Sequence, residues 1–256
     1  MDNAPLISIV MNCFNGQTYL KKALDSVLVQ TYQNWELLII NDSESEVLIN
    51  FSDSRIQLAK NSNKPGANGA RNTGINLATG RYIAYLDDDD TWEPGKLLKQ
   101  VKIIELQNAI LCYTGKKIIY QKNNKSQIKY SYNSTKLFPQ LGLQFHNYIG
   151  TTSTVMIKSY ILKDEVKFDE DIQSLQDFDL FLRLAELGSF VGIPEFLVNY
   201  YFDGNIAHTS FEKIAFIKSA WRIFKKQKGI YRITVLLSLT VISIQKIYNY
   251  FYYKFF

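Results

Sequence analysis

The first ninety residues alternate between two hydrophobic periods. Residues 7–14 are almost continuously apolar, as expected for a strand covered on both faces, and they stop at Asn15 and Gly16. Tyr19, Leu20, Ala23, Leu24, Val27 and Leu28 then recur at the spacing of one helix face. A second apolar run, residues 35–40, ends at Asn41 and Asp42, and residues 56–59 form a short third one. Residues 69–78 read as a helix that starts in a loop rich in Gly and Asn, and residues 82–86 as a fourth strand. Strands and helices joined by short connections predict a parallel sheet in an α/β layer fold.

After Asp90 the pattern changes. Pro94 can open a helix that runs to about residue 107. Residues 110–121 and 127–132 flank Asn123 and Asn124 in the manner of an antiparallel hairpin. Residues 151–157 read as a strand, 177–187 as a helix stopped by Gly188, and 196–201 as a last strand. Residues 211–228 set Ile214, Ile217, Trp221 and Phe224 on one side of an amphipathic helix.

Composition narrows the class. A chain of 256 residues that is 46% apolar supports one sizeable packed domain plus a tail and excludes global disorder. Its two cysteines, Cys13 and Cys112, both sit in strand-like runs, which suggests a reducing compartment rather than a disulfide framework. No basic leader with a long apolar run opens the chain, so a cytoplasmic location is expected. The net charge of +5 is unevenly placed: from residue 211 onward nine Lys or Arg face a single acid, Glu212. That asymmetry points to a surface partner for the C-terminus.

The chemistry centres on Asp87, Asp88, Asp89 and Asp90, directly after the fourth strand. Ligands of open parallel sheets bind outside the carboxyl ends of the strands. Four adjacent carboxylates repel one another unless a cation offsets them, and hard oxygen donors suit Mg²⁺ or Mn²⁺ with diphosphate oxygens completing the shell. A solvated acidic turn is the plainer alternative. An EF-hand loop fails, because its sixth position would be Trp92 rather than glycine. Asp87, Asp89 and Thr91 also fit the D-x-D-x-T pattern of haloacid-dehalogenase-like phosphatases, in which Asp87 would be the nucleophile. Three strand-helix units precede it here, whereas those proteins place this strand near the start.

Four segments, in order, carry a family resemblance. They are SIVMNCFNGQTYLKKALDSVLVQTYQNWELLIIND (residues 8–42), GARNTGINLATGRYIAYLDDDDTW (69–92), GTTSTVMIKS (150–159) and LQDFDLFLRLAELG (175–188). Together they resemble the family 2 glycosyltransferases of the GT-A fold. The resemblance implies a Rossmann-like, mostly parallel central sheet flanked by helices, with a small antiparallel acceptor-side part and C-terminal helices. It divides the chain into a transferase domain, 1–208, and a helical tail, 209–256; within the domain, 1–92 would bind nucleotide-sugar and 93–208 the acceptor.

The implied activity is metal-dependent, inverting transfer of a sugar from a nucleotide-sugar, a UDP-sugar by the family pattern, to an acceptor hydroxyl in polysaccharide or glycan synthesis. Asn12 and Asn15 resemble the wall of the base pocket, and Asp42 the acid that binds the uracil edge; capping a helix is its ordinary alternative. Arg71 matches a basic residue near the nucleotide, with a surface ion pair as the competing role. Asp87 and Asp88 would reach ribose and metal, and Asp89, with Asp87, would coordinate Mn²⁺ or Mg²⁺. Asp177 matches the general base and should open its helix, where the dipole favours the ionised form. The family usually has Glu before the base; here Gln176 stands there. Asp179 lies four before Arg183 and suits a helix-face pair. His208 follows the last strand and reads as an exposed loop residue, and His146 has no motif around it.

Residues 233–244 are uncharged and too short to span a bilayer, and aromatic residues follow. With flanking basic residues they fit an element lying at the inner face of the cell membrane, beside a glycan or lipid-linked acceptor. Packing on the domain and a homodimer contact are the alternatives. Nothing in the pattern suggests nucleic acid, and a non-catalytic sugar-nucleotide-binding module would not need both Asp89 and Asp177.

Overall fold

Apolar continuity along the first, second and fourth predicted strands is matched by their burial on both faces. β1 (Ile7–Cys13) pairs in parallel with β2 (Trp35–Asn41) on one side and β4 (Tyr82–Asp87) on the other, and β3 (Ile56–Lys60) lies at the edge beyond β2. The computed structural model describes residues 4–14, 17–45, 47, 52–122, 125–132, 142–143, 147–203, 213–229, 232–237, 239–241 and 243–244. Asn15, His146, His208 and the turn at Asn123 and Asn124 lie outside them.

The sheet continues past β4 with a change of direction. β8 (Val155–Lys158) is antiparallel to β4 and to β6 (Leu111–Lys122); β9 (Phe190–Asp203) runs parallel to β6, and β5 (Thr91–Trp92) and β7 (Lys125–Ser131) pair antiparallel with β9 and β6. Among the described residues the order is β3-β2-β1-β4-β8-β6-β9-β5, with β7 off this path on β6 as the ninth strand of the sheet.

Helices cover both faces. α1 (Gln17–Leu28) and α3 (Lys96–Leu106) lie over one, where Leu20, Val27, Leu97 and Ile104 pack with Met11, Leu37 and Leu86. On the other, α2 (Ala67–Leu77) and α4 (Gln176–Leu184) bring Ala70, Ile75, Phe178 and Phe181 against Val10, Ile83 and Tyr85. α2 approaches so closely that a Cβ at Gly74 would stand 2.3 Å from Val10 Cγ1.

Three expectations shift. β9 begins at Phe190 rather than at 196, because the strand passes through Pro194: its register with β6 jumps from Thr114↔Ile193 to Gly115↔Phe196, which leaves Pro194 and Glu195 in a bulge where no ladder N–H is needed. Thr152–Thr154 form a 3₁₀ turn ahead of β8 instead of strand. The third concerns α5 (Lys213–Lys226), whose packed stripe is Ala215, Ser219 and Ile223, joined by Gln227; Ile217 and Trp221 stand exposed and Phe224 only partly covered. Val235 and Leu239, from the helical residues 232–237 and 239–241, join the same core.

Candidate active site

The parallel ladder sets Asn12, Asp87 and Ile40 level with one another at the carboxyl ends of β1, β4 and β2. Asn12 Nδ2 donates to the carbonyl of Ala67 (3.4 Å), while its Oδ1 is buried without a partner. Asp42 follows β2; its carboxylate accepts from Asn61 Nδ2 (2.6 Å) and from the N–H of Gly66 (2.7 Å), the residue that begins α2. The tether to the helix start is therefore present in the structure.

Arg71 projects from α2 and is buried, at 7% exposure. Its Nη2 stands 2.7 Å from Asp87 Oδ1, its Nε has no partner, and its guanidinium lies 5.4 Å from the centroid of Phe168. The ion pair expected as its competing role is formed with Asp87, with Arg71 buried and Asp87 half-buried. Thr152 Oγ1 donates to the other oxygen of Asp87 (3.4 Å), and the Asp87 N–H donates to Ser153 Oγ (3.2 Å). The Phe14 N–H donates to Asp88 Oδ2 (3.3 Å).

Charge in the acidic run is under-compensated. Burial, and then Asp89 and Asp87, push the Asp88 carboxyl up to about 7. Burial and Asp87 push Asp89 up to about 6, against the pull of Arg71. Asp90, 1% exposed, is also raised, by burial and then by Asp89 and Asp87; neither of its oxygens has a hydrogen-bond partner, and the nearby Ser153 and Lys116 oppose the rise only in part.

Asp177 is the second residue of α4, after Leu175 in a left-handed conformation (φ 65°). Its carboxylate accepts from the Phe178 N–H (2.8 Å). The helix start does not leave it strongly acidic: burial raises its pKa, and the Phe178 N–H, Lys116 and Arg71 oppose that only partly, while Asp87 adds to it. The same interactions place Asp177 in the electrostatic environment of Asp87 and Arg71. Asp179 sits apart in ion pairs with Arg183 (2.6 Å) and Lys226 (2.7 Å).

Two residues absent from the sequence reading join the site. Lys116 follows the irregularity at Gly115 in β6, where the register shift re-aims the strand, and its ammonium stands 4.7 Å from the centroid of Tyr200 on β9. Burial lowers its pKa while Asp90, Asp177 and Asp87 raise it. The Tyr200 hydroxyl is pushed up by burial and then by Asp90, Asp89, Asp87 and Asp177. A lysine within a strand, beside a glycine, was the available signal. Among the described residues no three His, Cys, Asp or Glu side chains converge to hold a metal ion unaided.

The model of the Glycosyl transferase family 2 matches residues 8–163, more than half of the chain. The chain belongs to glycosyltransferase family 2. Over 254 residues this transferase is 31% identical to the Escherichia coli UDP-Glc:alpha-D-GlcNAc-diphosphoundecaprenol beta-1,3-glucosyltransferase WfgD, covering 94% of each chain. It is 28% identical over 238 residues to an uncharacterized glycosyltransferase of Rickettsia typhi, with 88% of this chain and 73% of the relative covered. The structure of residues 1–349 of S. aureus TarS in complex with UDP-GlcNAc superposes with a TM-score of 0.70 at 14% identity, over 91% of this chain and 71% of the other. The transferase therefore has the GT-A fold, and the phosphatase alternative finds no support. Among its described residues no helix is long and apolar enough to cross a membrane.

Proposed function

We propose that this glycosyltransferase moves a sugar from a UDP-sugar to a hydroxyl of a lipid-diphosphate-linked sugar, with inversion, and that Asp177 is its general base. The observation that carries this reading is the 2.7 Å Arg71–Asp87 ion pair at the end of β4, with Asp177 in the first turn of α4 within electrostatic range of both and of Lys116. The donor and acceptor classes follow the name of WfgD, which the chain matches over nearly its whole length.

The acidic run fits a divalent cation. Mg²⁺ and Mn²⁺ suit sites that supply one or two carboxylates and leave phosphate oxygens to fill the shell, so a complete protein cage is not needed. Burial first, and then the neighbouring carboxylates, push Asp89 up to about 6 and Asp88 up to about 7, and a bound cation would favour their ionised forms. Asp89 and Asp87 would hold the ion, which supplies charge neutralisation for the departing nucleoside diphosphate. Asn12, Asn15 and Asp42 would form the base pocket, Asp88 would meet the ribose, and Arg71 would hold Asp87 and face the diphosphate.

In the transfer, the acceptor oxygen attacks the anomeric carbon from the face opposite the diphosphate. The bond from that carbon to the phosphate oxygen breaks, its electron pair leaves with the diphosphate, and the hydroxyl proton passes to Asp177. A base works best with a pKa near the operating pH, and burial moves Asp177 in that direction while Lys116 and Arg71 keep it ionisable.

We assign donor binding to residues 1–92 and acceptor binding to 93–208. The tail is read as a peripheral membrane contact at the cytoplasmic side: Ile217, Trp221, Ile233, Leu236, Leu237 and Val241 are exposed among Arg222, Lys225 and Arg232. Because Val235 and Leu239 are part of the core, truncation is a poor test of that contact; charged substitutions on the outer face are a better one.

Calorimetry and turnover with UDP-, GDP- and dTDP-sugars, with and without Mn²⁺, test the whole reading. Tight UDP-sugar binding that needs the metal, and transfer lost in Asp177→Asn with donor binding kept, are the expected results. Equal turnover in that variant would remove Asp177 from the mechanism.

A further inference from the structure

Helix α5 lies beyond the family-matched residues, yet it touches the supports of two site residues. Ser219 Oγ accepts from the N–H of Ser174, three residues before Asp177. Lys226 Nζ stands 2.7 Å from Asp179 Oδ1, two residues after Asp177, and 2.7 Å from Asp169 Oδ2. Arg222 adds a 2.6 Å contact to Asp169. Ile223, between these polar contacts, is fully buried in the cluster that contains Phe178.

The segment around Asp169 is held in turn by α2. Asn72 Nδ2 donates to the Phe168 carbonyl (3.0 Å) and Asn68 Nδ2 to the Asp169 carbonyl (2.7 Å). Asn72 is the neighbour of Arg71, and the Arg71 guanidinium lies against the Phe168 ring. One helix therefore stands behind both the turn that carries Asp177 and the segment that flanks Arg71.

Leu175 supplies an independent sign of constraint. A bulky residue at φ 65° is held there by its surroundings, since the left-handed region is unfavourable for side chains with a Cβ. The Asp179 N–H bonds to the Leu175 carbonyl, and the Ser174 N–H to Ser219, on either side of that residue.

We infer that α5 is a positioning element of the transfer machinery, in which Lys226 and Ser219 fix the α4 start so that Asp177 faces the acidic run. This rests on the reading of Asp177 as the base. Lys226 touches no reacting atom; it acts through Asp179 and the helix.

The test uses the full chain, with Lys226→Met, Lys226→Arg, Ser219→Ala and Asp177→Asn assayed side by side for kcat, UDP-sugar affinity and melting temperature. Small displacements of a catalytic group are costly, so Lys226→Met should lower kcat roughly 10- to 100-fold and leave donor affinity within about twofold. Lys226→Arg should restore most of that rate. Ser219→Ala should give a smaller loss of kcat, and it decides the matter if Lys226→Met does not fold. Wild-type kcat in Lys226→Met, or in a folded Ser219→Ala when Lys226→Met fails to fold, overturns the inference. So does a joint fall of kcat and donor affinity that Arg does not rescue, because that is simple loss of stability. Full turnover in Asp177→Asn would instead overturn the base assignment, whereas an inactive Asp177→Asn beside a normal Lys226→Met would overturn the α5 role alone.

Discussion

Asp169 and Asp179, beside α5, and Asp87 to Asp90, at the end of β4, are both dense in buried or half-buried carboxylate, and they are treated in opposite ways. Arg222 and Lys226 meet Asp169, and Arg183 and Lys226 meet Asp179, at 2.6–2.7 Å. Burial alone would raise Asp169, but those hydrogen bonds hold its carboxyl well below the usual carboxylate range. Among the described residues only Arg71 forms an ion pair with the acidic run, at Asp87, and Asp88, Asp89 and Asp90 are all pushed upward. A fully paired cluster fastens one helix to another. An under-paired one keeps its charge available for something that binds.

Substitutions can break or sharpen this contrast. The largest effect is expected at Asp177→Asn, which removes the proposed proton acceptor and should lower kcat by roughly 10²- to 10⁴-fold in a transfer assay, with donor binding retained. Next, Asp89→Asn should lower kcat/KM roughly a hundredfold, equivalent to about 2.7 kcal/mol of charge stabilisation, and blunt the response to added Mn²⁺. A variant as Mn²⁺-responsive as the parent would show that the run is not the cation site.

Asp179→Asn attacks the paired cluster. Removing one partner of a buried ion pair leaves the other charge uncompensated, so unfolding experiments should show a loss of about 3 kcal/mol. Asp90→Asn is the counterpart: it deletes a buried carboxylate that has no hydrogen-bond partner, and should leave the metal-free protein equally stable or more stable by about 1 kcal/mol. Similar losses in both variants would erase the distinction between the clusters.

The pH dependence is the smallest effect and carries a definite sign. Asp88 and Asp89 bind protons more tightly folded than unfolded, so their contribution to stability falls as pH rises from about 4 to about 7. Asp169 acts in reverse, stabilising above the ordinary carboxylate pKa and losing that contribution as pH falls below it. Chemical denaturation of the metal-free protein between pH 4 and 7, repeated with saturating Mn²⁺, should show the first slope flattened by the metal. A slope unchanged by Mn²⁺ would place the ion elsewhere.

Much of the frame was legible beforehand. Apolar runs gave β1, β2 and β4 almost to the residue, because a strand covered on both faces leaves an unbroken local pattern. The position of Asp87 at the carboxyl end of β4 followed from the same run. β9 was read too short because Pro194 is a local stop signal, and the bulge that accommodates it depends on pairing with β6, distant in sequence. The packed stripe of α5 was misread because hydropathy ranks Ile217 and Trp221 above Ala215 and Ser219, whereas close packing and the reach of Lys226 to Asp179 select the smaller residues.

By itself, then, the amino-acid sequence determined which segments become strands and helices, and which strand ends in carboxylates, since these depend on periodicities spanning a few residues. Only the tertiary structure decided that Lys116 and Tyr200 would share a site with Asp87, that Asp177 would carry a raised pKa despite opening a helix, and that a C-terminal helix would grip the helix bearing it. Charges act through space, and the insertion of β8 between β4 and β6, with the bulge of β9 opposite Gly115, sets which of them meet.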